Sequence, residues 1–139
     1  MTGFSRGPRA DAVTKPFAID RTYIRLDDGP AVTPVPVGPD FWQKIGERPE
    51  LQEGRLLTFF HLGPGNAHWE MHPAGDEILF LISGATTVVL EEGKIRRRVQ
   101  LNGGEAFIVP RGVWHCFEVS APGDLLAITR GAGTETRDD

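Results

Sequence analysis

The sequence has almost no cysteine and no excess of positive charge. Its 139 residues include one cysteine, Cys116, so no disulfide can form within the chain. Fifteen lysines and arginines stand against 19 aspartates and glutamates, giving a formal net charge of -4. A lone cysteine is typical of a reducing cytoplasm, and a mildly acidic balance disfavours nucleic-acid binding. We therefore expect a cytoplasmic protein without a nucleic-acid partner.

Long apolar runs are also missing. No segment approaches the roughly 20 apolar residues that a membrane-spanning helix needs, and the N-terminus lacks the apolar core of a signal peptide. We therefore expect no signal peptide and no membrane partner. Hydrophobic residues nevertheless make up 40% of the chain, which is enough for a folded core, and this length suits one domain.

Glycine and proline are abundant instead, with 17 and 11 residues. They separate many short apolar segments, a pattern that indicates an all-β sandwich or barrel. Only residues 40–46 favour a helix, with Asp40 as a candidate N-cap. We expect a flexible arm at residues 1–15, a single domain at residues 16–130 and a flexible tail at residues 131–139.

The segment from His68 to His72 alternates polar and apolar residues. In an extended strand, His68, Glu70 and His72 share one face, and the apolar residues between them share the other. Residues 73–76 form a turn sequence, and Glu77 begins the next apolar segment. A tight turn would bring Glu77 back near His72, so the segment predicts a small polar site on a hairpin.

The segment that follows Glu77 is apolar throughout, from Ile78 to Ile82. A strand with one face in water would alternate, so both faces of this strand are expected to be covered. Either the N-terminal arm or a second subunit would cover the outer face. We expect a homodimer, because an exposed apolar patch is a liability on a monomer.

Two segments carry glycine, proline, histidine and glutamate at regular spacings. Gly104, Pro110, Gly112 and His115 follow the pattern G-x5-P-x-G-x2-H, and His72, Glu77 and Gly84 follow the pattern H-x4-E-x6-G. These patterns resemble the two motifs of the cupin superfamily, and most closely those of its small single-domain (type-2) members. The second motif of the family ends in an asparagine, where this chain has Val119. The resemblance implies a double-stranded β-helix, a jelly-roll barrel with the site inside it.

The resemblance also implies a divalent metal ion, held by Glu70, His72, Glu77 and His115. Imidazole nitrogen and carboxylate oxygen suit Zn, Mn, Fe or Ni, and the two carboxylates would repel one another without a cation. Glu70 stands where the family has a histidine, so three arrangements stay open. Glu70 is a ligand, or His68 on the same face replaces it, or these residues line a metal-free polar pocket.

Several neighbouring residues are assigned to packing. His61 ends a strand and is expected to be structural or exposed. Cys116 faces away from His115, so no catalytic Cys–His pair is expected. Leu79, Leu81 and Phe117 should face the interior and form an apolar pocket wall.

The expected function is the binding of a small organic ligand inside the barrel, at the metal. Cupins include dioxygenases, sugar isomerases and epimerases, and decarboxylases, and the sequence selects none of these reactions. Whether the protein is an enzyme therefore stays open. The alternative is a metal-free module that binds or senses a small molecule without turnover.

Overall fold

The computed structural model describes residues 15–65 and 68–138, which form eleven strands and one short α-helix. The strands are β1 (Thr22–Leu26), β2 (Val32–Pro36), β3 (Arg55–Leu62), β4 (Trp69–Met71), β5 (Glu77–Leu81), β6 (Ala85–Glu92), β7 (Ile95–Asn102), β8 (Ala106–Val109), β9 (Trp114–Ala121), β10 (Gly123–Thr129) and β11 (Glu135–Arg137). The helix α1 covers Phe41–Lys44, and two 3-10 helices follow at Ile45–Glu47 and Pro49–Gln52. The arm expected at residues 1–15 lies outside the described residues except for its last one.

The strands form two antiparallel sheets with a shared core between them. One sheet has the order β2-β1-β3-β10-β5-β8, and the other has the order β11-β4-β9-β6-β7. Leu79 and Leu125 of the first sheet belong to the same buried cluster as Val88 and Leu90 of the second. The all-β fold predicted from the sequence is confirmed. Within the described residues, no helix is long and apolar enough to cross a membrane.

The turn after β4 carries the chain from one sheet to the other. β4 pairs with β9 and β11, whereas β5 pairs with β10 and β8. The prediction of a hairpin is therefore wrong, but His72 and Glu77 still lie close together. His72 and Glu77 approach each other because they face one another across the interior, with 3.3 Å between His72 Nε2 and Glu77 Oε2.

The side chains of β5 alternate strictly in burial. Glu77, Leu79 and Leu81 are buried, while Ile78 and Phe80 on the outer face are 41% and 38% exposed. No part of the described chain supplies the expected cover for this outer face. The outer face of β5 is therefore open in the single chain.

The expected flexible tail is corrected at residues 135–137, which form β11 and pair with β4. Arg137 secures this strand, because its guanidinium lies 5.0 Å from the ring centroid of Trp69 and 4.5 Å from that of Trp114. The same guanidinium contacts the Glu91 carboxylate at 2.7 Å. Two cation–π contacts and an ion pair hold the segment on the outer face of the second sheet.

The helix lies where the sequence predicts it, but it is shorter. Asp40 makes no capping hydrogen bond and instead pairs with Lys44 at 3.1 Å. Phe41 is buried, and the exposed Trp42 stacks on Phe60 with ring centroids 5.5 Å apart. The helix therefore packs beside the end of β3, next to the interior.

Candidate functional site

The candidate site is built from both sheets, where they face each other. Glu70 lies on β4 and His115 on the neighbouring strand β9, where the two residues are direct partners in the register. His72 follows β4, and Glu77 opens β5 in the opposite sheet. The side chains of His72, Glu77 and His115 are at most 7% exposed, whereas that of Glu70 is 38% exposed. Glu70 therefore lies at the open side of the cluster.

The four residues carried over from the family motif converge. One ligand atom from each of Glu70, His72 and His115 lies within 4.8 Å of the others, so these three residues could hold a metal ion. Glu77 adjoins both histidines, with contacts of 3.0 Å to His115 Nε2 and 3.3 Å to His72 Nε2. His68 instead contacts Glu70 Oε2 at 3.4 Å, from a half-exposed position.

The remaining histidine and the cysteine lie elsewhere. His61 is exposed and contacts Asp124 Oδ1 at 2.9 Å. Cys116 is buried on the opposite side of β9 from His115, in a cluster with Trp69 and Val89. Neither residue belongs to the cluster of candidate metal ligands.

The orientation of His115 is fixed by its backbone partner. Its Nδ1 lies 3.0 Å from the Val113 carbonyl oxygen, which can only accept, so Nδ1 carries a proton and donates it. In a neutral ring, Nε2 then presents a lone pair to the Glu77 carboxylate 3.0 Å away. Two electron-rich atoms at this distance require a proton or a cation between them.

The orientation of His72 also favours a ligand at Nε2. Its Nδ1 lies 2.8 Å from Thr134 Oγ1, the hydroxyl oxygen of a residue in the segment just before β11. Its Nε2 is buried without a hydrogen bond, since the 3.3 Å approach of Glu77 lies outside hydrogen-bond geometry. An unsatisfied buried nitrogen costs about 1–3 kcal/mol. A divalent ion coordinated at this atom would remove that cost, so the residues fit such an ion.

Burial and pairing shift the pKa values of Glu77 and His115. Burial raises the pKa of Glu77, but its hydrogen bond with His115 and the close approach of both His115 and His72 outweigh burial and lower that pKa to about 2. Burial lowers the pKa of His115, but its hydrogen bond and attraction to Glu77 prevail and raise that pKa above its usual 6.5. Without a metal, a proton on His115 therefore balances the Glu77 carboxylate.

The stability of the metal-free protein is expected to depend on pH through this pair. The lowered pKa of Glu77 stabilises the fold above its usual value of 4.5, and this stabilisation is lost as pH falls toward 2. The raised pKa of His115 stabilises the fold below 6.5 and ceases to do so as pH rises through the raised value. The Glu77–His115 pair should therefore contribute most to the stability of the fold between about pH 4.5 and 6.5.

Urea unfolding of chelator-treated protein from pH 3 to 9 measures this dependence. The Glu77→Gln variant lacks the paired carboxylate, so its free energy of unfolding should fall less steeply above pH 6.5 than that of the wild type. Equal slopes in the two proteins would contradict the assignment of the pair.

Two threonines complete the cluster, and neither could be selected as part of the site from residue type or motif spacing. The Thr129 hydroxyl donates a hydrogen bond to Glu77 Oε2, and the Thr134 hydroxyl contacts His72 Nδ1. They lie 52 and 62 residues away from their partners in the chain. Thr134 begins the segment Thr134 to Arg137, in which β-branched threonines alternate with charged residues. This alternation favours a strand over a frayed tail, and it is the one sequence signal that could have pointed to Thr134.

Replacing Thr134 with valine is expected to weaken metal binding about tenfold while preserving the fold. Valine keeps the shape of the side chain but removes the oxygen that orients the His72 ring, and loss of such an outer partner typically costs 10- to 100-fold in affinity. Competition against a metal-sensitive dye measures the change. Thr87→Val on β6 is the control, because the Thr87 hydroxyl contacts Gln100 on an exposed face away from the cluster. An equal effect of both substitutions would refute the role of Thr134.

A cavity of about 150 Å³ adjoins the cluster. Its polar end is formed by His68, Glu70, Glu77 and His115. The rest of its lining is apolar and consists of Phe60, Leu62, Leu79, Phe117, Leu125 and Ala127. Leu79 and Phe117 therefore line the cavity as predicted, whereas Leu81 belongs to the core cluster.

Comparison with known proteins agrees with this architecture. A family model described as a cupin domain matches residues 58–130. No curated protein sequence matches the chain. Similar solved structures include peruvianin-I, a cysteine peptidase from Thevetia peruviana latex, with 15% identity and a TM-score of 0.53. Others are an oxalate decarboxylase from Bacillus subtilis, with 19% identity and a TM-score of 0.53, and an oxalate oxidase, with 19% identity and a TM-score of 0.50.

These structural matches cover only parts of the proteins compared. They include 61%, 59% and 58% of this chain and 56%, 23% and 44% of the respective matched chains. At such low identity the similarity concerns the fold alone. The structure of the oxalate decarboxylase was studied for its Mn(II) centres.

Proposed function

The chain belongs to the cupin domain family, and from this membership we propose that it binds a small organic ligand between its two sheets, at a divalent metal ion. Glu70, His72, Glu77 and His115 are the proposed ligands of the ion. The single observation that carries the proposal is the buried Nε2 of His72, which has no hydrogen bond and lies beside three further donors.

The donor set also supports the proposal by its charge. Two carboxylates carry two negative charges, and a divalent ion would neutralise them. When bound, such an ion would act as a Lewis acid toward an oxygen of the ligand. The chain's own residues hold the donors in place, because Thr134 and the Val113 carbonyl orient the two imidazoles and Thr129 anchors Glu77.

Metal analysis of tag-free protein tests the proposal. After dialysis against Mn, Fe, Zn or Ni and removal of excess metal, the protein should retain about one ion per chain. The double variant His72→Ala/His115→Ala should retain none. Wild-type protein that stays metal-free after all four incubations would sink the proposal.

A metal-free binding module is the second candidate, and one observation favours it. Glu77 already has partners for both oxygens, His115 Nε2 at one and the Thr129 hydroxyl at the other. The protonated pair is therefore satisfied without an ion. Under this alternative, the cavity would bind its ligand equally well in the presence and absence of a chelator.

We also propose that the protein is a homodimer, in which a second copy covers the outer face of β5 and β8. Ile78, Phe80, Ile82 and Ile108 are exposed there by 41%, 38%, 44% and 58%. Ile78 is the direct register partner of Ile108, so the exposed side chains adjoin one another across neighbouring strands. β8 is an edge strand, and an apolar patch at a sheet edge favours self-association.

Light scattering at tens of micromolar is expected to show a dimer for the wild type and a monomer for Ile108→Lys. A buried lysine in each copy would leave an unpaired charge in the interface, which disfavours association. Ile95→Lys is the matched control, because Ile95 is 69% exposed on β7 of the other sheet. A wild-type monomer at this concentration would refute the dimer.

A further inference from the structure

The lining of the cavity restricts the charge of the ligand. Glu70 and Glu77 contribute two negative charges at the polar end, which a divalent ion balances. Among the described residues that line the cavity, none is a lysine or an arginine. His68 at this end of the cavity is half-exposed and already adjoins Glu70.

The opposite part of the cavity restricts the polarity of the ligand. Six apolar side chains line it, and two of them, Leu79 and Leu125, are only 1% exposed. Phe117 lies edge-on to the His115 ring, with centroids 6.4 Å apart, so the apolar wall begins directly beside the donor cluster. A ligand that reaches the ion therefore lays the rest of its surface against hydrocarbon.

We infer that the ligand is a small chelator of low charge, neutral or singly negative, with an apolar body, and that the site disfavours small dianions such as oxalate. The inference rests on the proposed metal site and adds the class of ligand. A dianion would leave the ion and its donors with two uncompensated negative charges beside an apolar wall, and burying unpaired charge is unfavourable. A flat apolar chelator leaves at most one such charge and buries hydrocarbon surface.

Maltol and oxalate form a suitable pair of probes. Both chelate divalent ions through two oxygen atoms, but maltol binds as a monoanion with an apolar ring, and oxalate binds as a dianion without one. Calorimetric titration of the metal-loaded protein gives the affinity for each probe, and titration of the same free ion in the same buffer gives the reference. The preference for maltol should be at least about tenfold greater on the protein than on the free ion.

Phe60→Arg tests the charge argument within the same cavity. Phe60 is half-buried on the apolar wall, and arginine remains charged in any protein environment. We expect this variant to shift selectivity toward oxalate by about tenfold or more, whereas the uncharged variant Phe60→Met, which changes only the shape of the wall, should shift it much less. An Arg variant with unchanged selectivity would count against the charge argument.

Metal content is measured first, so that a failure of the proposed metal site can be distinguished from a failure of the inferred ligand class. Wild-type protein without metal overturns the metal site and the ligand class together. Metal-loaded wild type that favours oxalate as much as the free ion does, or more, overturns the ligand class alone. The wild-type comparison decides the inference even where the arginine variant does not fold.

Discussion

Replacing His115 with alanine is expected to lower the affinity for a divalent ion by at least about a hundredfold. The His115 ring is 1% exposed, and its Nδ1 is held by the Val113 carbonyl, so its Nε2 is already aimed at the donor cluster. Alanine removes this nitrogen, and with it one of the four proposed ligand side chains. Competition with a metal-sensitive dye measures the loss, and circular dichroism verifies that the variant is folded.

His61→Ala is the matched control for this variant. His61 is exposed and pairs with Asp124 on the surface, away from the cluster. Its removal should leave the metal affinity unchanged. A His115→Ala variant that binds the ion as tightly as the His61→Ala variant would remove His115 from the proposed ligands.

Replacing Gly123 with alanine is expected to reduce the free energy of unfolding by about 3 kcal/mol or more. A Cβ atom at this position would lie 1.9 Å from the Ser83 carbonyl oxygen and 2.7 Å from the Gly84 nitrogen. Both neighbours are backbone atoms, so the clash is relieved only by moving the loop after β5 away from β10. That movement would break the hydrogen bond from Ile82 N to Asp124 O.

Denaturant unfolding of Gly123→Ala and Gly63→Ala separates this clash from the general effect of removing a glycine. A Cβ atom at Gly63 meets no atom within 4 Å, so its replacement should change the free energy of unfolding by less than about 0.5 kcal/mol. Equal changes at both positions would contradict the close approach of the two backbones.

The side-chain faces could be predicted from the sequence because strand periodicity is local. Alternation placed Glu70 and His72 together, and it separated Cys116 and Trp114 from His115, as the cluster of Trp69, Val89 and Cys116 on the outer face confirms. The family motifs supplied the long-range part, since they joined His115 to a segment some forty residues earlier. The fold class follows from the same two sources.

The partners of each strand could not be predicted from periodicity. A turn of four residues permits either a hairpin or a crossing between sheets, and the sequence of residues 73–76 does not distinguish them. The choice is made by pairing elsewhere, because β5 pairs with β10 and β8, which lie far along the chain. The proximity of His72 and Glu77 was therefore foreseen for the wrong reason.

The position of the strand at residues 135–137 could not be predicted from local sequence, because the side-chain contacts of Arg137 that hold it are distant in sequence. Arg137 is held by Trp69, Trp114 and Glu91, none of which its local composition reveals. The role of Thr134 beside His72 depends on the position of that strand. The cytoplasmic location likewise stays a prediction from composition, as does the arm at the N-terminus.

Anomalous diffraction from crystals of zinc-loaded protein would locate the ion among the side chains. We expect one strong peak at about 2.0–2.2 Å from side-chain atoms of Glu70, His72, Glu77 and His115. The peak should be absent from crystals of the His72→Ala/His115→Ala variant prepared in the same way. A peak at the surface pair of His61 and Asp124 instead, or no peak in the wild type, would contradict a metal site between the two sheets.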